Sequence, residues 1–195
     1  DGRHPDSVEF VRDIEQDLAR RDFTINAIAD AALAEALIDP WAGLEDLRAG
    51  VIRAVGEPRE RFGEDGLRVL RAARFCGTLG FRLDPATEAA IAPSLDTFRC
   101  VSPERVQEEW TKALHKSAHP SRAFEVMKRT GILEVTCPEL GALEAAWPAT
   151  MARVDRAPRD AEVRLAALLL DVAVEGSRRA WADGWLRAMR TSNRQ

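Results

Sequence analysis

Lysine is nearly missing from this sequence. It stands only at positions 112, 116 and 128, and arginine supplies the rest of the lysine-plus-arginine charge. Acidic residues outnumber these, giving a formal net charge of -4. That balance excludes a simple polybasic nucleic-acid binder. It leaves room for local arginine clusters, which suit planar, bidentate contacts with phosphate, carboxylate or base edges; genome base composition is the competing explanation of the bias. Cysteine occurs only at positions 76, 100 and 137, with no CxxC or Cys/His cluster. Neither a disulfide framework nor a zinc site is indicated, and a reducing, cytoplasmic setting is expected. No apolar run reaches membrane-spanning length. The opening "DGRHPDSVEF" has no signal-peptide character; it begins on turn residues without an initiator Met and reads as the middle of a longer protein.

The chain has 195 residues, 46% of them hydrophobic, enough for one large domain or two small ones with a sizeable core. Residues 7–14, "SVEFVRDI", predict a strand. Residues 18–37 are alanine-rich and predict a helix, with an extended "DFTIN" as the alternative at its start. "LIDP" predicts a short strand and a Pro break, "WAGLEDLRAG" a Gly-bounded turn, and "GVIRAVG" a second short strand. After Pro58 the pattern turns helical. In "GEDGLRVLRAARFCGTLGF" Leu67, Leu70 and Phe75 fall near helical spacing, with Arg68 and Arg71 on another face. Glu64 and Asp65 are expected in its first turn, where the helix dipole favours them, and "GF" at 80–81 stops it. "DPATEAAIAPSL" predicts a helix capped near Asp84. Ser102 and Pro103 suit the N-cap and first positions of "SPERVQEEWTKALH". Further helices are predicted in "PSRAFEVMKRTGILEVTCPEL", stopped near Gly131, in "RDAEVRLAALLLDVAVEG" and in "SRRAWADGWLRAMR". The expected fold is mainly α: a small α/β part, then helices.

Two stretches carry chemistry. On the predicted helix Asp65 and Arg68 lie three apart and share a face. Cytosine and adenine each show an exocyclic amino donor beside a ring-nitrogen acceptor, whereas uracil and guanine show a carbonyl beside an N–H. A carboxylate that accepts and a guanidinium that donates match the first two and mismatch the others. An ordinary i,i+3 surface ion pair is the plainer alternative, and spacing alone favours it. In "DLARRDFTINAIAD" Asp22 could accept from a ribose 2′-hydroxyl, and Arg21 could meet phosphate or sugar oxygens. The alternative there is that Arg21 and Asp22 pair with each other and cap the apolar segment that follows.

Together, "DLARRDFTINAIA" (17–29), "IDPWAGLEDLRAGVIRAVGEP" (38–58), "RFGEDGLRVLRAARFCGTLGF" (61–81) and "SPERVQEEWTKAL" (102–114) resemble motifs B, C, D and E of one family. It is that of the class II tRNA nucleotidyltransferases, the CCA-adding enzymes, with the related bacterial poly(A) polymerases. "GRHPDSVEF" resembles the family's flexible loop before motif B, and the resemblance covers about residues 1–140. It implies the C-terminal part of a polymerase beta-type α/β head over residues 1–57, a helical neck that recognises the base over 58–100, and a helical body over 101–195, truncated at its end. It implies template-independent addition of C, C and A to the tRNA 3′ end from CTP and ATP. Arg21 and Asp22 would contact the nucleotide's sugar and phosphates; Asp65 and Arg68 would read its base, with Glu64 and Arg71 in support. Asp39, Gly43 and Asp46 of motif C would have structural roles. So would Ser102, Glu104 and Arg105 of motif E, which would brace the motif D helix. Arg122, Lys128 and Arg129 are candidate phosphate contacts for the tRNA acceptor end, against the plainer reading as surface charges. "VRLAALLLDV" resembles a segment reading "LLHD" in relatives with an HD-type metal site; Leu170 stands in place of the His, so no metal is expected there.

One departure from the family is large. Its motif A, with a Gly-Gly turn and an Asp-x-Asp pair for two Mg²⁺ ions, is missing, and no Asp-x-Asp occurs anywhere in the sequence. The expectation is a piece of a longer polymerase, inactive alone, with no catalytic or metal-binding residue of its own and with Mg²⁺ ligands elsewhere. Gly66 is a smaller departure, since Pro or Ala is more usual there; glycine weakens a helix by up to roughly 1 kcal/mol and would loosen this one. Competing readings are a poly(A) polymerase or an enzyme adding only CC or only A and, outside the family's chemistry, a non-catalytic helical RNA-binding module.

Overall fold

Helices make up most of the computed structural model, which describes residues 14–31, 36–172 and 178–190. The strand expected at residues 7–14 lies outside these except for Ile14, which opens the helix α1 (Ile14–Ala19). Alanine content predicts helix as far as residue 37, but the chain turns at residues 20–22. There Asp22 folds its carboxylate onto the Phe23 N–H at 2.9 Å. Phe23 forms an antiparallel bridge with Ala54. Beside it the Thr24 N–H donates to Arg53 O at 2.9 Å and the Val55 N–H to Asp22 O at 3.2 Å. Full burial of Phe23 and this tertiary pairing override a weak local propensity, so the extended alternative prevails. A 3-10 turn (Thr24–Asn26) follows. Then β1 (Ala29–Ala31) and β2 (Ala36–Ile38) pair antiparallel, Ala29 opposite Ile38.

Where a turn was expected there is a helix, α2 (Gly43–Ala49). Asp39 nucleates it: its two oxygens accept the Gly43 N–H at 2.7 Å and the Leu44 N–H at 2.9 Å, satisfying amides that a helix start leaves open. β3 (Val51–Ile52) runs parallel to β4 (Arg82–Leu83) and ties the N-terminal part to the helices.

Next, α3 (Pro58–Glu64) and α4 (Leu67–Leu79) divide a stretch that reads as one helix start. Glu64 closes α3, and Asp65 is extended at φ −149°, so neither stands in the first turn of the long helix. Gly66 accounts for the break. A Cβ there would lie 2.6 Å from Thr97 O and 2.7 Å from Phe98 N. The glycine admits a neighbouring segment. α4 ends at Gly80, left-handed at φ 72°, as predicted.

α5 (Pro85–Ala89) is started by the Asp84 carboxylate, 3.1 Å from the Thr87 N–H. α6 (Leu95–Arg99) and α7 (Pro103–Lys116) follow. Ser102 holds the N-cap position of α7, but its side chain makes no capping bond. The remaining helices are α8 (Pro120–Arg129), α9 (Ile132–Thr136), α10 (Pro138–Gly141), α11 (Trp147–Arg156), α12 (Ala161–Leu169) and α13 (Arg178–Arg190). α4 lies against α7 and α8, burying Leu70, Ala73 and Cys76 among Trp110, Ala113, Phe124 and Met127. The same apolar core takes in Phe23 and Ile52 at one end and Leu168 and Val172 at the other. Leu170 is exposed; Asp171 beside it accepts from Thr150 Oγ1 at 2.7 Å and Arg153 Nη2 at 2.5 Å. The three cysteines are free. Burial pushes the thiols of Cys76 and Cys137 up to about 12, so neither is ionised at neutral pH. No described helix is long and apolar enough to cross a membrane.

Candidate functional site

A cavity of about 530 Å³ opens where the turn after α1 faces the first half of α4. Five arginines (20, 21, 68, 71 and 105) and two aspartates (22 and 65) line it, with Asn26, Leu67 and Phe75. The volume is in the range of small-molecule sites, and the excess of guanidinium groups favours an anionic occupant. Phe75 belongs to its apolar part. It packs edge-on against Phe23, ring centres 5.6 Å apart, and carries the Arg74 guanidinium at 4.0 Å and that of Arg71 at 5.5 Å from its ring centre. The second arrangement is a cation–π contact in which the ring also orients the arginine.

Asp65 and Arg68 both reach the cavity, but each is held by a different partner. Asp65 Oδ1 accepts the Leu67 N–H at 3.1 Å, and Oδ2 accepts Arg105 Nη2 at 2.7 Å. Burial pushes its pKa up, but the Arg105 and Leu67 hydrogen bonds, with the charges of Arg105 and Arg68, outweigh this and hold it below the usual carboxylate value. Asp65 is therefore an ionised acceptor. Arg68 donates through Nη1 to Arg61 O at 2.8 Å and Glu64 Oε2 at 2.7 Å, and through Nη2 to Arg20 O at 2.9 Å. A guanidinium has five N–H donors and a carboxylate about four acceptor positions. Both side chains thus keep hydrogen-bonding capacity, and their bonds go to other partners rather than to each other as in a plain surface pair.

In the opening cluster Arg21 and Asp22 do not pair with each other. Arg21 pairs with Asp17 at 2.7 Å, one helical turn back, and is well exposed. Asp22 is 8% exposed. Its Oδ1 accepts the Phe23 N–H and Asn26 Nδ2, both at 2.9 Å. Its Oδ2 accepts Arg71 Nε at 2.8 Å and lies 2.7 Å from Nη2 of the same ion pair. Arg71 also lies 3.7 Å from Glu109 Oε1. Glu109, buried on α7, receives Arg74 Nε at 2.5 Å and Lys112 Nζ at 3.1 Å.

The other sequence candidates divide. Asp39 caps α2, and Gly43 lies so close to the 3-10 turn that a Cβ would stand 2.1 Å from Thr24 O. Asp46 accepts Thr24 Oγ1 at 2.7 Å and Arg53 Nε at 3.0 Å. Gly43 and Asp46 hold α2 to the chain that carries Asp22. Ser102 and Glu104 stand at the start of α7, while Arg105, expected only as a brace, lines the cavity itself. Arg122 donates to Gly80 O at 2.6 Å, Lys128 to Leu143 O, and Arg129 holds Glu88 at 2.7 and 3.0 Å. All three are engaged by the fold. Asn26 and Phe75 are cavity residues that sequence reasoning missed. Only an apolar position beside two arginines hinted at Phe75; Asn26 had no signal. Among the described residues no group of three or more His, Cys, Asp or Glu side chains comes together to hold a metal ion.

Residues 1–53 match a family model described as "Poly A polymerase head domain", and residues 80–143 match "Probable RNA and SrmB- binding site of polymerase A". The CCA-adding enzyme of Lactobacillus helveticus is 43% identical over 134 residues, which is 69% of this chain and 33% of that protein. The solved CCA-adding enzyme of Bacillus stearothermophilus in complex with CTP is 36% identical and superposes with a TM-score of 0.77 over 96% of this chain and 46% of that one. The chain belongs to the tRNA nucleotidyltransferase and poly(A) polymerase family. A tRNA nucleotidyltransferase solved with a primer tRNA and an incoming ATP analog is 27% identical, with a TM-score of 0.69 over 94% of this chain and 56% of that one. The chain thus spans between a third and just over half the length of these family members. The mainly helical fold, with its short N-terminal strands, is the family's fold.

Proposed function

We propose that the arginine-lined cavity binds the incoming nucleotide of a template-independent RNA polymerase that adds C and A to tRNA 3′ ends. One observation carries the reading: an ionised carboxylate, Asp65, and a partly satisfied guanidinium, Arg68, face a cavity whose remaining charge is mostly positive. Asp65 accepts the exocyclic amino group of cytosine or adenine, and Arg68 donates to the adjoining ring nitrogen. Asp22 contacts the ribose, Arg21 the sugar and phosphates, and Glu64 and Arg71 support the site, Glu64 by keeping Arg68 in place. Asp39, Gly43 and Asp46 hold the sugar side of the cavity; Ser102, Glu104 and Arg105 hold the base side. Residues 1–57 form part of the head, 58–100 the neck and 101–195 the body. The transfer step needs Mg²⁺ held by carboxylates outside these residues, so the reading includes a longer protein in the cytoplasm, with tRNA as partner. A relative solved with CTP and one solved with primer tRNA and an ATP analog support it. The match to a poly(A) polymerase head favours, as a second reading, addition of A alone.

Incorporation of CTP, ATP, UTP and GTP by the full-length protein into tRNA ending in the discriminator base, in C or in CC separates these activities. Asp65→Ala and Arg68→Ala should relax selection for C and A more than they weaken triphosphate binding. If both variants kept their selectivity and lost only stability, the base-reading role would be wrong.

A further inference from the structure

Asp22 cannot do what the proposed function asks of it in the state seen here. Its Oδ1 already accepts the Phe23 N–H and Asn26 Nδ2, and its Oδ2 accepts Arg71 Nε and lies 2.7 Å from the Nη2 of the same guanidinium; with the Asp22 side chain 9% exposed, these groups leave a newcomer no open approach. A ribose hydroxyl can donate to Asp22 only if one of them leaves. The Phe23 amide is fixed by the backbone. Arg71 has somewhere else to go: its Nη1 lies 3.7 Å from Glu109 Oε1. A shift of about 1 Å closes that gap to hydrogen-bonding distance. Glu109 receives one donor from Arg74 and one from Lys112, which leaves it acceptor capacity. The face of Phe75, 5.5 Å below the Arg71 guanidinium, gives a surface to slide over.

We propose that Arg71 is a specificity-positioning residue that occupies the sugar-reading carboxylate until a ribose 2′-hydroxyl displaces it, and that Glu109 on α7 receives the displaced guanidinium. This rests on the reading of Asp22 as the sugar contact. A 2′-deoxynucleotide has no donor to exchange for Arg71 and leaves it in place. Sugar identity is thereby passed from the turn after α1 to α7, the helix that also carries Arg105.

The test is calorimetric titration of the intact protein with CTP and dCTP, comparing wild type, Asp22→Ala and Arg71→Gln. Asp22→Ala should abolish the preference for CTP. If Arg71 competes with the hydroxyl, Arg71→Gln frees the acceptor and the preference rises, by about 3- to 10-fold for one hydrogen bond. If Arg71 merely clamps Asp22, the preference falls toward that of Asp22→Ala, and a fall or no change overturns the proposal. If wild type and Asp22→Ala share the same preference, the sugar-contact reading itself fails, whatever Arg71→Gln does. A second measurement needs no variant: the Arg71 Nε–H resonance, identified by its contacts with the Phe75 ring, should move on adding CTP and stay on adding dCTP. Equal movement with both overturns the exchange.

Discussion

Arg105→Ala tests the base-reading geometry from outside the pair that reads the base. The substitution removes the 2.7 Å bond to Asp65 Oδ2 and leaves Asp65 with the Leu67 amide. A hydrogen bond to a charged group contributes about 1.5–3 kcal/mol. Because the Arg105 side chain is 38% exposed and that of Asp65 21%, solvent screening brings the expected loss to about 1 kcal/mol. That is roughly a fivefold drop in selection of CTP over UTP if the bond orients the acceptor. The acid profile gives an independent readout. Burial pushes the Asp65 pKa up, and it is Arg105, with Leu67 and Arg68, that holds it below its usual value. In wild type the depressed pKa stabilises the fold above the unfolded value of about 3.9. This contribution disappears as pH falls through the folded-state pKa. Without Arg105 the folded pKa rises toward the unfolded one. The Asp65 contribution at neutral pH shrinks, its loss in acid flattens, and base selection fails at a higher pH than in wild type. CTP and UTP incorporation and thermal denaturation, both followed from neutral pH down through about pH 3.9, measure both. Unchanged selection with an unchanged acid profile would refute the argument. So would equal loss of CTP and UTP, because an orienting bond must affect the matched base more.

Two further substitutions probe the frame around the site. Gly66→Ala gains up to about 1 kcal/mol of helix propensity, but its Cβ would meet Thr97 O at 2.6 Å. Overpacking of that kind costs about 1–3 kcal/mol, so a lower melting temperature is expected and a raised one would show that the segment yields. Glu109→Gln leaves Arg74, 9% exposed in its side chain, without its charged partner. Breaking a buried pair costs about 3–5 kcal/mol, whereas replacing Arg74 and Glu109 together by Met and Leu should recover most of the stability in denaturant titrations; equal destabilisation by single and double variants would contradict the pairing.

The site was legible in the sequence as residue types, and less so as geometry. "EDGLR" and "RRD" mark the carboxylates and guanidinium groups of the cavity, and the structure brings Asp22, Asp65, Arg68 and Arg71 to one opening. The reason given for pairing Asp65 with Arg68 did not survive. Helical spacing placed them on one helix face, whereas Asp65 is extended and stands before α4. Gly66, beside that break, lies against residues 97 and 98, and no local pattern reports a contact about thirty residues away. The same holds for Arg105, forty positions from Asp65, and for the Ala54 bridge that turns the predicted helix into an extended segment at Phe23. Caps and stops were read well where they are local: Asp84 on Thr87, and Gly80 in the left-handed region. Asp39 was missed as a cap because "DPWAGL" puts four residues between the carboxylate and the second amide it serves.

The scarcity of lysine also takes on structural content around the cavity. Arg68 reaches three acceptors on two segments. Arg71 lies between two carboxylates on different elements, and Arg53 joins Asp46 to Asp84, with the Asp46 hydrogen bond foremost in raising its pKa. Each of these arginines ties the N-terminal segment or its neighbours to a helix while keeping donors in a fixed plane. An ammonium group offers three donors from a single point, without the fixed planar fork of a guanidinium. Base composition can set how many arginines a chain has, but it does not place them where one side chain must bridge separate elements of the fold and still present N–H groups to an anion. At positions 68 and 71, which line the cavity, that double duty is geometric, so lysine there would keep the charge and lose the planar set of donors.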